Sequence, residues 1–375
     1  MKKNKILYVD ASRIKSGGGV LHLKEILKSV ELDFFSCVIV FIHEDLEKAI
    51  NNCRNNVVFK TNAFLNKNLL TSLFWQRYLL NTQIENKKSM LLTLDSTTLS
   101  NYKYNILINQ DIIGHQESSL NFFKGKSYIY NLFKFLVSKR AVARSYASIF
   151  TTNYARSTFK LNNKKLTNSK VIPHGVESKI SPKKNYSLSK KNSFNIIYVS
   201  AVLEYKNHNY IIDSIKNIAT TYNLKLHFVG GGDLSLIKKL KQKISKFQLT
   251  SNIIFYPFLN QKQVFKLMRS SDLALFTSSV ECFGITLLEY MRTALPIICS
   301  NNSSLPETLG NGGIYINLNK SEDLVNAIKS FYEDKALREK YGQLAYNNSL
   351  KYSWEITSKK TIEFIIKNYE KANMY

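Results

Sequence analysis

Along its whole length the chain alternates short β-branched or aromatic runs with helix-length amphipathic stretches, and few folds satisfy that alternation. In the first half, residues 5–10, 35–42, 57–60, 90–94, 105–109 and 148–152 read as strands. Leu21, Leu23, Ile26, Leu27 and Val30 give helical apolar spacing directly after the first of them. In the second half, residues 195–200, 225–229, 252–256, 273–276, 296–299 and 313–316 read as strands. A helix-length or short, turn-rich interval separates each neighbouring pair. Strands joined this way lie parallel, with helices on both faces of the sheet. The expected fold class is α/β, two Rossmann-like doubly wound domains facing across a cleft.

The join is expected near residues 178–193, a stretch rich in Lys, Ser and Asn that includes Pro182. The expected domains are therefore 1–178 and 179–352, followed by a C-terminal helix in 353–375. A length of 375 residues suits two or three such domains. Apolar residues make up 44% of the chain, with only 14 Gly and 5 Pro, which excludes disordered and collagen-like chains. No stretch approaches the ~18 apolar residues of a spanning helix. The apolar run from Ile6 to Val9 stops at Asp10, too short for a signal peptide. The four cysteines, Cys37, Cys53, Cys282 and Cys299, lack metal-ligand spacing and are too few for a disulfide scaffold. A cytosolic protein without a bound metal is expected.

Charge adds a partner class. The chain carries 53 basic and 27 acidic residues, a formal charge of +26. Between Glu117 and Glu177 there is no acid, while eleven cations lie there, among them Lys134, Lys139, Arg140 and Arg144. Phe122, Phe123, Tyr128, Tyr130, Phe133 and Phe135 are interleaved with them. Ile129, Leu132, Phe133, Leu136 and Val137 have helical spacing. Such a helix could rest its apolar side on lipid while Lys134, Lys139, Arg140 and Arg144 meet anionic headgroups. The same stripe could instead pack into its own domain, leaving a solvated charged face. Nucleic acid is not expected, because no DNA- or RNA-binding motif accompanies the charge.

Two glycine runs lie where a strand should meet a helix. Gly17-Gly18-Gly19 follows the first strand, and Gly230-Gly231-Gly232 follows strand 225–229. Glycines let the backbone turn sharply and let a ligand approach exposed N–H groups. Neither run is a Walker loop or a G-x-G-x-x-G fingerprint. Residues 277–307 carry more: Glu281 in a loop after a strand, and Glu289 inside the helix that begins near Gly284. The N–H groups of Phe283, Gly284 and Ile285 at that helix start suit a phosphate or a sugar hydroxyl. Carboxylates accept strongly from sugar and ribose hydroxyls. Together these groups suit a nucleotide sugar.

Glu281-x7-Glu289, Pro296, Pro306-Glu307, the Gly230–Gly232 turn, Lys206, the segment Val171-Ile172-Pro173-His174-Gly175-Val176 and Ser353-Trp354-Glu355 stand in this order. The set resembles family 4 of the glycosyltransferases, strongly over 171–372 and more thinly before. The resemblance implies the two-domain GT-B fold, a C-terminal helix crossing back to the first domain, and retaining, metal-independent transfer. On matching positions it implies that Glu281 meets the donor sugar and Glu289 the ribose. Lys206 would neutralise the pyrophosphate, with Gly18, Gly19 and Gly231 close to the donor. Phe283, Gly284 and Ile285 would act through their main chain, and His115 would reach the sugar from the acceptor side.

The sequence departs from the family in places. Ala201 stands where an arginine is usual, leaving Arg13 as one candidate to supply the missing charge. Cys282 and Asn207 stand where glycine is common, and Tyr290, Arg292 and Ala294 replace small residues.

Breaking the bond from a sugar to a nucleoside diphosphate develops negative charge on the leaving phosphate and positive charge on the ring. A lysine and helix N–H groups would stabilise the first, carboxylates the second. No Asp-x-Asp is present to hold a metal on the pyrophosphate. The expected acceptor is a glycan or lipid-linked sugar of a bacterial surface polysaccharide, O-antigen or capsule, at the inner face of the cytoplasmic membrane. The alternatives are a GT-B nucleotide-sugar epimerase and a non-enzymatic basic protein binding membrane or nucleic acid.

Overall fold

The computed structural model describes residues 5–14, 17–48, 50, 53–62, 64–65, 68–111, 116–162, 166, 168–183, 185–187 and 193–374. The chain divides into two compact units, residues 1–175 with 352–375, and residues 176–351.

The first unit is a seven-stranded sheet built from β1 (Ile6–Asp10), β2 (Cys37–Phe41), β3 (Val57–Lys60), β4 (Met90–Thr93), β5 (Asn105–Asn109), β6 (Ala147–Phe150) and β7 (Ser169–Val171). The strand order is 3-2-1-4-5-6-7, and all neighbouring strands pair in parallel. Its helices are α1 (Gly18–Leu27), α2 (Glu44–Glu47), α3 (Leu69–Phe74), α4 (Gly125–Arg144) and α5 (Asn153–Asn162). The central strands are apolar at nearly every position because helices cover both faces. Leu7 and Val9 of β1 enter one core with Val38, Val40, Leu92 and Ile106, whereas Tyr8 points to the other face with Ile39, Phe41 and Trp75. Of the observed strands, β7 was not expected. It is a short edge strand of half-exposed residues, so it carries no apolar signal.

The second unit holds β8 (Phe194–Val199), β9 (Leu224–Val229), β10 (Ile253–Tyr256), β11 (Leu273–Phe276), β12 (Ile297–Ser300) and β13 (Ile314–Ile316) in the parallel order 10-9-8-11-12-13. Its helices are α6 (His208–Ile215), α7 (Leu234–Lys246), α8 (Gln261–Ser270), α9 (Ile285–Arg292), α10 (Leu305–Leu309), α11 (Ser321–Glu333) and α12 (Lys335–Ser349). Local chemistry sets several helix starts. Asp233 caps α7 by accepting from the amides of Ser235 and Leu236, at 2.8 and 3.1 Å. Asn260 and Gln263 form a reciprocal capping box on α8.

The last helix, α13 (Trp354–Asn373), belongs to the first unit. Ser353 caps it, and Ile362, Ile365, Tyr369 and Ala372 enter the core built on β1 and β2. Gly175 explains how the chain passes its start. A Cβ there would lie 2.1 Å from the Trp354 amide nitrogen, so only glycine lets these backbones touch. Thr357 Oγ1 donates to the Pro173 carbonyl at 2.8 Å. Trp354 packs with His22 and His174, ring centroids 5.3 and 5.6 Å away, and burial pushes the His22 imidazole down to about 4. The two sequence motifs around 174 and 354 are one packing unit. Among the described residues, no helix is long and apolar enough to cross a membrane.

Candidate functional site

In each sheet the chain reverses its direction of growth between two strands, and loops leaving their carboxyl ends diverge there. In the second unit this place lies between β8 and β11. The loop after β8 carries Lys206, and the loop after β11 carries Glu281. The Lys206 ammonium is ion-paired with the Glu281 carboxylate, and the two side chains are only 14% and 16% exposed. Two residues far apart in sequence are thus brought together by the topology.

Neighbouring side chains fix both loops. Asn207 has φ of +60°, the left-handed conformation that explains why glycine would also serve here. The asparagine adds what glycine cannot: its Nδ2 donates to the Thr277 carbonyl at 2.7 Å and to Ser279 Oγ at 2.8 Å. The Lys206 carbonyl accepts from Tyr198 Oη at 2.8 Å and Thr277 Oγ1 at 3.1 Å. The Glu281 carbonyl accepts from Ser303 Oγ at 2.6 Å and Ser304 Oγ at 2.8 Å, while its amide donates to Ser303 Oγ at 2.9 Å. None of these clamps was anticipated, because lone Ser, Thr and Asn residues carry no sequence pattern.

Gly284, with φ of +89°, caps α9. A Cβ there would crowd Leu305 and Leu287 at 3.3 and 3.4 Å. Cys282 and Phe283 are buried, so neither offers its side chain to solvent at the α9 start, whereas Ile285 is half-buried. Tyr290 serves the loop geometry. Its hydroxyl accepts from the Val199 amide at 2.5 Å and ties α9 to the end of β8.

Glu289 sits one turn into α9 and is partly buried. Desolvation first, and then the charge of Glu177, push its carboxyl up to about 7. Between pH 4.5 and about 7 the folded chain holds a proton that the unfolded chain has released. Stability therefore falls as pH rises through that window and is lowest above it. Glu289→Gln should remove this dependence. Its unfolding free energy should match the parent near pH 4 and exceed it by up to ~3 kcal/mol at pH 8. Parallel urea titrations of the two proteins at the two pH values measure this. An unchanged difference would show that the carboxyl is ordinarily ionised.

The Gly230–Gly232 turn packs on the continuation of β8. A Cβ at Gly230 would lie 2.4 Å from the Ser200 carbonyl oxygen, and one at Gly232 would lie 2.3 Å from that of Val202. Gly231, the residue singled out by sequence, has only an ordinary 3.4 Å approach to the Pro257 carbonyl. The steric demand falls on its two neighbours. Ala201 is exposed beside this turn. Leu234 and Phe258 stand at the carboxyl ends of β9 and β10, 81% and 80% exposed. Sequence reasoning did not single out either, since an isolated apolar residue looks like a core residue.

In the first unit the corresponding place lies between β1 and β4. Gly18 and Gly19 form the first turn of α1 there, after Gly17 at φ +66°. Arg13 is not a spare cation: its Nε donates to Asp95 Oδ2 at 2.9 Å. His115 lies outside the described residues.

On α4 the structure corrects one expectation. Lys134 Nζ donates to Asp111 Oδ2 at 2.8 Å and its side chain is 14% exposed, so it does not belong to the outer face. Val137 is likewise buried. Arg140 and Arg144 are exposed, and Lys139 is half-buried against the Phe135 ring. Ile129 and Leu136 are 66% and 56% exposed, and Phe133 lies between them on the same face. Among the described residues no group of three His, Cys, Asp or Glu stands ready to hold a metal.

Comparison with known proteins fits this geometry. Residues 180–348 match the family model Glycosyl transferases group 1. An uncharacterized glycosyltransferase of Methanocaldococcus jannaschii is 29% identical over 191 residues, covering 49% of this chain and 50% of that protein. The chain spans about half the length of the curated relatives it matches, or less. The Anabaena protein HepE, crystallised with UDP and glucose, superposes with a TM-score of 0.75 at 18% identity, covering 97% of this chain and 100% of that one. WaaG, a glycosyltransferase involved in lipopolysaccharide biosynthesis, superposes with a TM-score of 0.73 at 15% identity, covering 96% and 99%. The fold is that of the GT-B glycosyltransferases: two parallel-sheet Rossmann-like α/β domains.

Proposed function

We propose that the chain is a retaining, metal-independent glycosyltransferase of family 4 that takes a UDP- or GDP-sugar as donor. The observation that carries this reading is the Lys206–Glu281 pair at the β8/β11 switch point, with Glu289 on α9, inside the segment matching Glycosyl transferases group 1. A diphosphate entering there draws Lys206 from Glu281, and the released carboxylate accepts from sugar hydroxyls. Glu289 receives the ribose hydroxyls. As the sugar–phosphate bond breaks, negative charge grows on the diphosphate, where Lys206 and the α9 N-terminus meet it. Positive charge grows on the ring beside Glu281. The departing phosphate takes the acceptor proton, so no protein base is assigned.

The acceptor is a glycan or lipid-linked sugar of a bacterial surface polysaccharide, O-antigen or capsule. The role of WaaG in lipopolysaccharide biosynthesis supports that class. The protein then works at the inner face of the cytoplasmic membrane, held there by α4. Its outward Ile129, Phe133 and Leu136, followed by Arg140 and Arg144, give the helix the apolar and cationic sides that an anionic bilayer accepts.

A thermal-shift panel of UDP, GDP and their sugars tests the donor site. The matching nucleotide at 100 times its Kd should stabilise the protein by ~2.7 kcal/mol. Release of that nucleotide from its sugar should continue in EDTA. No shift and no release with any nucleotide sugar would overturn the reading, and a strict metal requirement would remove its metal-independent part.

A further inference from the structure

We propose that a basin of the first unit, walled by residues 74–78 after α3, residues 98–100 and the C-terminal part of α4, binds the phosphate of an anionic phospholipid headgroup. The inference rests on the reading that α4 faces a membrane, and it names the group that fixes the protein there. The basin has a volume of about 250 Å³, and Arg77, Arg140 and Arg144 all line it, together with Thr98, Ser100 and Tyr78. A neighbouring basin of about 320 Å³ shares Thr98, Ser100 and Arg144 and adds Lys103. No Asp or Glu lines either. Among the described residues none of the three arginines is ion-paired. Arg13, Arg54 and Lys134 of the same unit, by contrast, each hold a carboxylate.

Three like charges around one small basin repel one another, and an anion between them reverses the sign of that interaction. Guanidinium groups suit phosphate because their paired N–H donors match its oxygens. Thr98 Oγ1 accepts from the Ser100 amide at 3.1 Å, which leaves its hydroxyl proton to donate.

The surroundings select an amphiphile over a soluble anion. Arg140 continues the helical face of Ile129, Phe133 and Leu136 on one lip. On the other, Leu70, Phe74 and Tyr78 are exposed, and Phe64 stacks on Phe74 with centroids 5.8 Å apart. A cationic basin between two exposed apolar ridges matches a headgroup with acyl chains beside it. Single-stranded nucleic acid would stack on the aromatics, yet Leu70, Ile129 and Leu136 offer no stacking face.

Sedimentation of the full chain with phosphatidylcholine vesicles, with and without phosphatidylglycerol, tests this. The parent should bind only the mixed vesicles. The double variant Arg77→Gln/Arg144→Gln should lose roughly tenfold or more in apparent affinity through two lost surface cations. Lys87→Gln/Lys88→Gln, with the same charge change outside the basin, should bind as the parent does. An unchanged urea midpoint shows that the arginine variant is folded. If the arginine pair binds like the lysine pair while Ile129→Ser/Leu136→Ser detaches, the membrane reading stands and the basin is overturned. If the parent ignores anionic vesicles, both fall. Competition by inorganic phosphate or by oligothymidylate as strong as by soluble glycerophosphoglycerol would overturn the lipid assignment.

Discussion

Lys206→Ala should lower kcat with the matching nucleotide sugar by about 10²–10³, the range seen when a preorganised donor to a developing anion is removed. The lysine is partly buried, its carbonyl is held by Tyr198 and Thr277, and its ammonium has one carboxylate partner, Glu281. Charge placed that firmly needs little reorganisation when the diphosphate leaves. Glu281→Gln should also lower turnover, but its effect on binding should be opposite. With the carboxylate gone, Lys206 no longer has to leave a partner to meet the phosphate, so nucleoside diphosphate should bind at least as tightly as in the parent. Steady-state kinetics and diphosphate titrations of both variants separate these effects. Turnover of Lys206→Ala within threefold of the parent would remove the lysine from the reacting centre.

Gly175→Ala should be the most destabilising single methyl in the first unit, at about 3 kcal/mol or more, the upper end of overpacking costs. The added carbon would lie 2.1 Å from the Trp354 nitrogen and 2.4 Å from the Ser353 carbonyl carbon, so backbone has to move. Moving it pulls Trp354 from His22 and His174 and shifts the start of α13. Urea unfolding followed by tryptophan fluorescence should show the loss. Gly231→Ala offers the contrast, because its Cβ would meet only an ordinary contact at 3.4 Å.

Most strands were legible because they are short apolar runs bounded by polar turns, and in β4, β5, β11 and β12 burial of every residue writes that run without interruption. The β7 edge, Ser169-Lys170-Val171, has a single apolar residue and so lacks the signal. Glu281 and Glu289 were singled out by the residue pattern at 277–307 and Lys206 by the family resemblance, but the geometry joining Lys206 to Glu281 was not legible. It depends on Asn207, Ser303, Ser304 and Tyr290, whose bonds span loops distant in sequence. Lys134 and Arg13 show the same limit for charge. Composition counts a cation as available, whereas Asp111 and Asp95 come to them only once the sheet is formed. The Gly230–Gly232 run marks the turn between β9 and α7, but its middle residue is the least constrained of the three.

The first unit is interrupted in sequence: its core is completed by Ile362, Ile365 and Tyr369, which follow the whole second unit. On the ribosome this reverses the usual order, in which the N-terminal domain folds first. At ~5–20 residues per second, synthesis of residues 176–351 takes about 10–35 s. During that time β1 and β2 wait with one apolar face uncovered, and the second unit has all its strands once residue 316 is made, before any of α13 exists. The nascent chain is then a finished domain trailing an unfinished one, and chaperone demand should peak there and end when α13 emerges.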